Sequence, residues 1–373
     1  MQKCTASLLT GWYFAACLAL STAGAAARAE APRTTKVYAV WAHYSDTVGN
    51  AKNPAKLRNV MQSVRAFYAE GSAGTHGFVA DVHPTPLELA QTRPQGKCRL
   101  PDGSVLSETL RAAGISLEGY HALALVVPPS TNGCNGGLQT SFLHQEADGT
   151  VHRVPLAISW SLTDRFIAHE IVHTHGIGHA KALVCRGTTL APDCRTEEYG
   201  NVWDVMGDGS YHMLSAPLRT RMGWIEPVVH GAGNASHTIG AATRPGGLPT
   251  ALQVRLPFTG SSTMKVLQPL NLWIEYRAPF GFDRAMASPR FANFANGAMV
   301  NLTGSWQATV GKTVRTVSCP VHSPCLLDMT PQTGTFNDAG LVAGQTWTEP
   351  LTGIQVTVDA RTETTLTVTV VAP

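Results

Sequence analysis

Eleven residues constrain this chain more than any others: His169-Glu-Ile-Val-His-Thr-His-Gly-Ile-Gly-His179. His169 and His173 stand four apart. At 3.6 residues per turn of helix, four residues return to nearly the same face. Both imidazoles can then reach one ion at about 2.0–2.1 Å, the usual zinc–nitrogen distance. Glu170 lies beside the first ligand and can reach a water at the ion without binding the ion itself. Gly176 can take a positive φ, end the helix and turn the chain back. His179 then arrives as a third ligand from outside the helix. Three protein ligands leave one coordination position open, which suits a catalytic rather than a structural zinc. A single histidine here would read as a satisfied core residue. The fixed positions taken together make coincidence remote. His175, between the ligands, reads as a polar neighbour and not as a fourth ligand.

Such a site needs a folded core around it, and the composition permits one. Hydrophobic residues make up 44% and charged residues 14% of the chain, which is a globular balance and not a disordered one. The formal net charge is +3. Lys3 and Arg28 belong to a presequence, so the mature chain is near neutral and nucleic acid is not an expected partner. Residues 1–29 read as an export signal: Lys3, an apolar run from Leu8 to Leu20, and a small-x-small site at Ala27-Arg28-Ala29. The run is short for a membrane span, and no later stretch is long enough. Phe14-Ala-Ala-Cys17 offers the alternative of a lipid anchor through Cys17.

Export puts Cys98, Cys134, Cys185, Cys194, Cys319 and Cys325 where disulfides form. Sequence leaves the connectivity open. Short spacing favours Cys185–Cys194 and Cys319–Cys325, which leaves Cys98–Cys134. Cys98-Arg-Leu-Pro-Asp102 has a second reading as the cysteine-switch peptide of a zymogen. A strand and a helix already precede it, so the disulfide is preferred.

Lys36–Trp41 alternates and is rich in β-formers, which predicts a first strand. Leu57, Val60, Met61, Val64 and Phe67 have helical spacing within 53–70. Strands are expected at 78–82, 121–127 and 154–160, a long surface loop at 84–103, and a helix at 104–113 closed by Gly114. Ser161 and Asp164 read as a capping box for the histidine helix, with Leu162, Phe166, Ile167, Ile171 and Val172 able to face the core. Strands alternating with helices make this part α/β (α+β), with a mixed sheet and an active-site helix. Two further stretches follow: Glu198-Tyr-Gly-Asn-Val-Trp-Asp-Val-Met-Gly207, and Ser215–Trp224, a short helix stopped by Gly223. From about 230 the texture changes to short β-type runs at 252–256, 264–267, 272–276, 298–302, 354–358 and 365–371. That predicts an all-β, sandwich-like C-terminal region. Asn234-Ala-Ser and Asn301-Leu-Thr are glycosylation sequons.

H-E-x-x-H-x-x-G-x-x-H is the metzincin signature, and a methionine in a tight turn after the third histidine is the second metzincin hallmark. Met206, 27 residues after His179, occupies that place. HEIVHTHGIGHA, EYGNVWDVMG, SAPLRTRMGW and LWIEYR (Leu272–Arg277) together resemble the gametolysin (autolysin) family of metzincins, over roughly residues 36–280. Immune-inhibitor-A-like and pappalysin-like peptidases share parts of the pattern. The resemblance implies a metzincin-type catalytic domain, a catalytic zinc and endopeptidase action on extracellular proteins, cell-wall glycoproteins among them. Met206 would lie beneath the zinc as a hydrophobic floor. Two departures stand out. Ala180 follows the third ligand where several metzincin families carry a polar residue. No tyrosine lies two residues after Met206, where some families place an oxyanion helper; Tyr211 is the nearest stand-in. The stretch between the presequence and the first strand is also short for a propeptide.

The expectation is therefore a signal peptide (1–29), a zinc peptidase domain (30–229) and a β-rich domain (230–373). The protein would be secreted or periplasmic, a monomer without a membrane span, and would act on a protein or glycoprotein substrate. One zinc would be held by His169, His173 and His179, with Glu170 as general base; structural calcium is left open. The alternative is a secreted zinc-containing binding or adhesion protein with little turnover. An intact Glu170 speaks against it, because a pure binding module needs no base there.

Overall fold

The structure, a computed structural model, describes residues 33–49, 52–96, 98–128, 134, 136–244 and 246–373, all within the compact unit Pro32–Pro373. The expected export signal and Cys17 lie outside the described residues.

The chain begins with strands β1 (Thr34–Tyr44), β2 (Gly77–Val82), β3 (Leu87–Leu89), β4 (Ala122–Val126), β5 (Gly137–Gln145) and β6 (Val151–Ser159). They form one sheet in the order β2-β1-β4-β6-β5, with β3 also on β1. Every pairing is parallel except that of the edge strand β5 with β6. Parallel strands need crossovers: one helix carries the chain from β1 to β2, another lies between β3 and β4, and β5 lies between β4 and β6. Helices α1 (Asn53–Gly71) and α3 (Asp164–His173) cover one face, and α2 (Gly103–Ala112) covers the other. β4 reads ALALV and is buried along its whole length, as a strand covered on both faces must be. Leu57, Met61, Val64 and Phe67 form the buried stripe of α1. Each such side chain contributes about 1.5–3 kcal/mol by leaving water. This packing sets α3, and the histidines on it, firmly against the sheet.

Three local differences from the sequence reading have physical causes. β5 (GLQTSFLHQ) is missing from it because an edge strand buries little; Phe142 and His144 are its buried residues. The loop expected at 84–103 contains β3, which adds only three residues to β1. α3 starts at Asp164 with Thr163 as its cap, not at Ser161. Asp164 accepts a hydrogen bond from Ser63 of α1 at 2.8 Å. A tertiary partner has replaced the expected local capping box.

The rest of the chain is β-rich. Strands β7 (Lys181–Val184) and β8 (Arg195–Glu197) precede α4 (Ala216–Arg221). Then come β9 (Val228–Val229), β10 (Ala235–Gly240), β11 (Leu252–Arg255), β12 (Met264–Glu275), α5 (Ala292–Ala295) and β13 (Gly297–Val310). They are followed by β14 (Thr313–Cys319), β15 (Cys325–Leu326), β16 (Leu341–Val342), β17 (Thr346–Thr348), β18 (Gln355–Arg361) and β19 (Thr365–Val371). One nine-stranded sheet runs β8-β7-β15-β13-β12-β11-β9, with β14 and β16 also on β13; a four-stranded sheet runs β10-β19-β18-β17. Ile239, Val254, Leu272, Leu302, Val356 and Val368 share the core between them. The larger sheet takes β7, β8 and β9 from before position 230, so its hydrogen bonds run across the expected domain boundary. The runs expected at 264–267 and 272–276 are one strand, β12, whose register on β13 shifts on both sides of Gln268. Pro269 has no N–H to give a ladder, which favours a bulge there.

Disulfides join Cys98–Cys134, Cys185–Cys194 and Cys319–Cys325, the expected pairing. Cys98 is thus a structural cysteine. Among the described residues no helix is long and apolar enough to cross a membrane.

Candidate metal centre

α3 presents His169 and His173 one turn apart. Gly176, at φ 74°, turns the chain out of the helix, and His179 follows in irregular backbone. The Nε2 atoms of His169 and His179 lie 3.0 and 3.2 Å from Nε2 of His173. Among the described residues this is the one group of three or more potential ligands with its atoms gathered within 4.8 Å.

The opposite ring nitrogens decide what these contacts are. Nδ1 of His169 lies 2.7 Å from the Val205 carbonyl, Nδ1 of His173 2.7 Å from the Ile177 carbonyl, and Nδ1 of His179 2.8 Å from Oε1 of Glu198. A carbonyl or carboxylate oxygen can only accept, so each Nδ1 carries the proton. As neutral imidazoles, His169 and His173 then turn bare Nε2 atoms toward each other, and Nε2 of His179 converges on the same point. Burial, then the neighbouring His173, pushes His169 down to about 3, and burial lowers His173 as well. Second protons are therefore disfavoured on both. Two bare ring nitrogens 3.0 Å apart repel unless a cation sits beside them. Ligands about 2.1 Å from an ion at tetrahedral angles stand about 3.4 Å apart. The spacing and the donor set fit an ion of zinc's kind. The Nδ1 partners fix ring orientation and tautomer, as outer-shell groups do at metal sites.

A cleft of about 600 Å³ opens on His169 and Glu170, with Arg165, Phe166, Tyr199, Val202 and Phe336 in its walls. A larger cavity, about 920 Å³, shares none of these residues and lies in the β-rich region by Leu256, Phe258 and Pro269. Glu170 is buried, and burial lifts its carboxyl to about 8. A cation at the imidazoles would favour the carboxylate form. Gly137, the first residue of the edge strand β5, sits directly against the Glu170 side chain. Tyr199 lies over His179, ring centroids 3.8 Å apart, and holds a left-handed backbone at φ 62°. That conformation is uncommon for a non-glycine residue and marks a strained rim.

The segment of Met206 is tied to the histidine segment through the Val205 carbonyl, and Met206 is fully buried in the core that α3 shares. Asp204 holds it: one carboxylate oxygen accepts from Met206 N at 2.8 Å and the other from Ser215 N at 2.6 Å. Arg277 Nη2 donates to the carbonyls of Trp203 and Met213, at 2.9 and 2.8 Å, and to Asp283 at 2.6 Å. Glu275 accepts from Arg219 at 3.0 Å, from Ala216 N at 3.0 Å and from Asn301 at 3.2 Å. All of these charged groups are fully buried. Burial raises Asp283, but Arg277 and His212 outweigh it and hold the carboxyl below the usual carboxylate range. The stretches EYGNVWDVMG, SAPLRTRMGW and LWIEYR thus meet in one buried ionic network.

The remaining expected site residues fall as follows. Tyr211 does not line the cleft; its ring packs on Phe67 and Phe282, with centroids 5.2 and 4.8 Å apart. Tyr199 is the tyrosine that does. His175 stays out of the ligand group: its Nε2 meets Tyr68 OH at 3.2 Å and its ring stacks on His121. Phe166, expected in the core, lines the cleft. Ala180 is buried, and its N–H bonds the Met206 carbonyl at 3.0 Å. Asn301 is fully buried, so the folded chain closes that sequon, while Asn234 is exposed. Glu198, Tyr199, Arg165 and Asp204 are site residues that the sequence reading did not assign. A carboxylate and a tyrosine inside EYGNVWDVMG were the available signal for the first two.

No protein-family model matches the chain, and no curated protein matches it. Among solved structures, one chain described as "Structure of a chaperone-substrate complex" is similar over 50% of this chain at 13% identity, with a TM-score of 0.27; this chain spans 30% of its length. Two crystal structures of wild-type OgpA from Akkermansia muciniphila cover 79% of this chain and 95% and 94% of their own, at 10% and 12% identity and TM-scores of 0.33 and 0.30. Likeness at that level fixes neither fold nor function.

Proposed function

We propose that the chain is an exported zinc-dependent endopeptidase of the metzincin type, resembling the gametolysin branch, that hydrolyses peptide bonds in extracellular or cell-wall proteins. The observation that carries this is the convergence of the Nε2 atoms of His169, His173 and His179, beside a buried carboxylate in an open cleft.

His169, His173 and His179 would hold the ion through Nε2. When bound, zinc supplies a Lewis acid that acidifies water and polarises a carbonyl oxygen. Glu170 takes the proton of the attacking water on its carboxylate and gives it to the departing amine nitrogen. A cation at the imidazoles would keep Glu170 ionised for the first half of that task, and burial, which favours its neutral form, would help it hold the proton for the second. Gly137, at the start of β5, lies against Glu170, which supports a reading in which an extended peptide lies along the edge of β5. Phe166 and Tyr199 offer ring surface to substrate side chains. The three disulfides support an oxidising, exported setting.

The test is cleavage of casein and of a mixed peptide library by the purified chain, before and after a chelator, with metal content measured throughout. Cleavage that stops on chelation and returns with zinc is expected. A chain that holds one zinc and cleaves no peptide would remove the peptidase reading and leave a binding protein.

A further inference from the structure

His169 and His173 are placed by a helix packed on a sheet. His179 is not: residues 177–180 have no helix or strand of their own. Something else must fix that stretch, because an imidazole binds only if Nε2 arrives at about 2.0–2.1 Å from the ion.

Ala180 is held by the Met206 carbonyl and by Asn201 N, and further holds on the stretch come from far along the chain. Ser323 Oγ donates to the His179 carbonyl at 2.6 Å, across 144 positions of sequence. Gly178 N donates to the His322 carbonyl at 2.6 Å, and Lys181 N to the Pro324 carbonyl at 2.8 Å. β15 then pairs in parallel with β7, Cys325 beside Lys181 and Leu326 beside Ala182. Residues 178–182 are thus held at successive points by residues 322–326. That loop is closed at its two ends by the Cys319–Cys325 disulfide. Ser323 is buried, so water does not compete for its bond. The two segments are in close contact: a Cβ on Gly178 would lie 3.1 Å from Ser323 Cβ and 3.2 Å from the His322 carbonyl oxygen.

We propose that the Cys319–Cys325 loop is a clasp for the third ligand, with Ser323 as its positioning residue, and that metal affinity therefore depends on the C-terminal β region. Glu198 orients the His179 ring at Nδ1; Ser323 holds the same residue by its backbone. Neither touches the ion. The β-rich region is in this respect part of the metal centre and not an appendage. The inference rests on the metal reading of the three histidines, not on the peptidase reading.

The test is the dissociation constant of the full-length protein for zinc, by competition with a chromophoric chelator, together with the visible absorption of the cobalt-loaded form. Wild type is compared with Ser323→Ala, Ser323→Thr, the double variant Cys319→Ser/Cys325→Ser and the control Cys98→Ser/Cys134→Ser, each with its thermal midpoint. Ser323→Ala and the clasp double variant should bind zinc about ten- to a hundred-fold more weakly, the usual effect of losing an outer-shell partner, with a changed cobalt spectrum. Ser323→Thr keeps the hydroxyl and should restore most of the affinity. The control should bind as wild type does, whatever its stability. Wild-type affinity and spectrum in both clasp variants would overturn the clasp alone. So would a loss that tracks only the unfolded fraction. A wild type that binds no zinc would overturn the metal reading and the clasp with it.

Discussion

The Val205 carbonyl accepts the Nδ1 proton of His169 at 2.7 Å, one position before Met206. The next carbonyl, that of Met206, accepts from Ala180 N at 3.0 Å, one position after His179. Two successive carbonyls of one turn therefore hold the ring of the first ligand and the backbone beside the third. The buried apolar side chain of Met206 gives the turn its seat in the core, and Asp204 keeps it closed from within. The turn is thus tied both to the helix of His169 and to the segment of His179.

The ligand set can be separated from its histidine-rich neighbourhood. His179→Ala removes one of the three converging Nε2 atoms and should lose most bound zinc. His175→Ala removes a ring that stacks on His121 and meets Tyr68, so zinc should stay near one per chain. Metal analysis of the two purified variants, with their circular dichroism compared, checks this. The reverse order of loss would show that the ion sits elsewhere.

The ionic network should govern stability. Glu275 faces Arg219 at 3.0 Å with both side chains fully buried. Glu275→Gln leaves Arg219 buried without its counter-charge. Removing one partner of such a pair typically costs about 3–5 kcal/mol. Urea unfolding should show a loss of that order, and zinc affinity should fall too, because Arg277 of the same network pins Trp203 and Met213 around the Met206 turn. A variant with an unchanged urea midpoint would mean that the network contributes nothing net.

Stability should also depend on pH through Glu70, far from the histidines in sequence. This residue, near the end of α1, accepts from Phe282 N at 2.9 Å, and burial lifts its carboxyl from 4.5 to about 7. Between those values the folded chain binds a proton that the unfolded chain has lost. Its contribution is full below pH 4.5 and disappears as pH rises through about 7, since stability falls with pH wherever the native state holds more protons. Glu70→Gln keeps an acceptor for Phe282 N and cannot ionise. Its denaturation midpoint should decline less than that of wild type over this window. Two parallel pH profiles would assign the slope to other groups.

The sequence made the pairing of His169 with His173 legible because their spacing is a property of the helix itself: four residues return to one face. It could not reveal what orients them. Two of the three Nδ1 partners are the backbone carbonyls of Val205 and Ile177, and a carbonyl has no letter. Ser323 lies 144 positions from His179, and only the pairing of β15 with β7 brings it near. Tyr211 was the stand-in that the sequence offered, and only the folded chain shows that Tyr199 lines the cleft instead. The charges in LWIEYR were a usable signal, since Glu275 and Arg277 inside an apolar strand must find buried partners. β5 was hidden because an edge strand need not alternate cleanly.

Glu170 separates an enzyme from a binding protein. It borders the cleft beside His169 but lies outside the ligand group, so its proposed task is proton transfer alone. Glu170→Gln keeps size and an accepting oxygen and removes the base. Zinc content and thermal midpoint should stay close to wild type. Turnover should fall by about 10²–10⁴-fold, the contribution of positioned acid–base catalysis. KM should change little, because the substitution leaves Phe166, Tyr199 and the β5 edge in place. The measurement is peptide cleavage by both proteins at matched zinc occupancy. Equal rates would assign the activity to another site. A fall in rate that merely follows lost zinc would make Glu170 a support for the ligands and not a base.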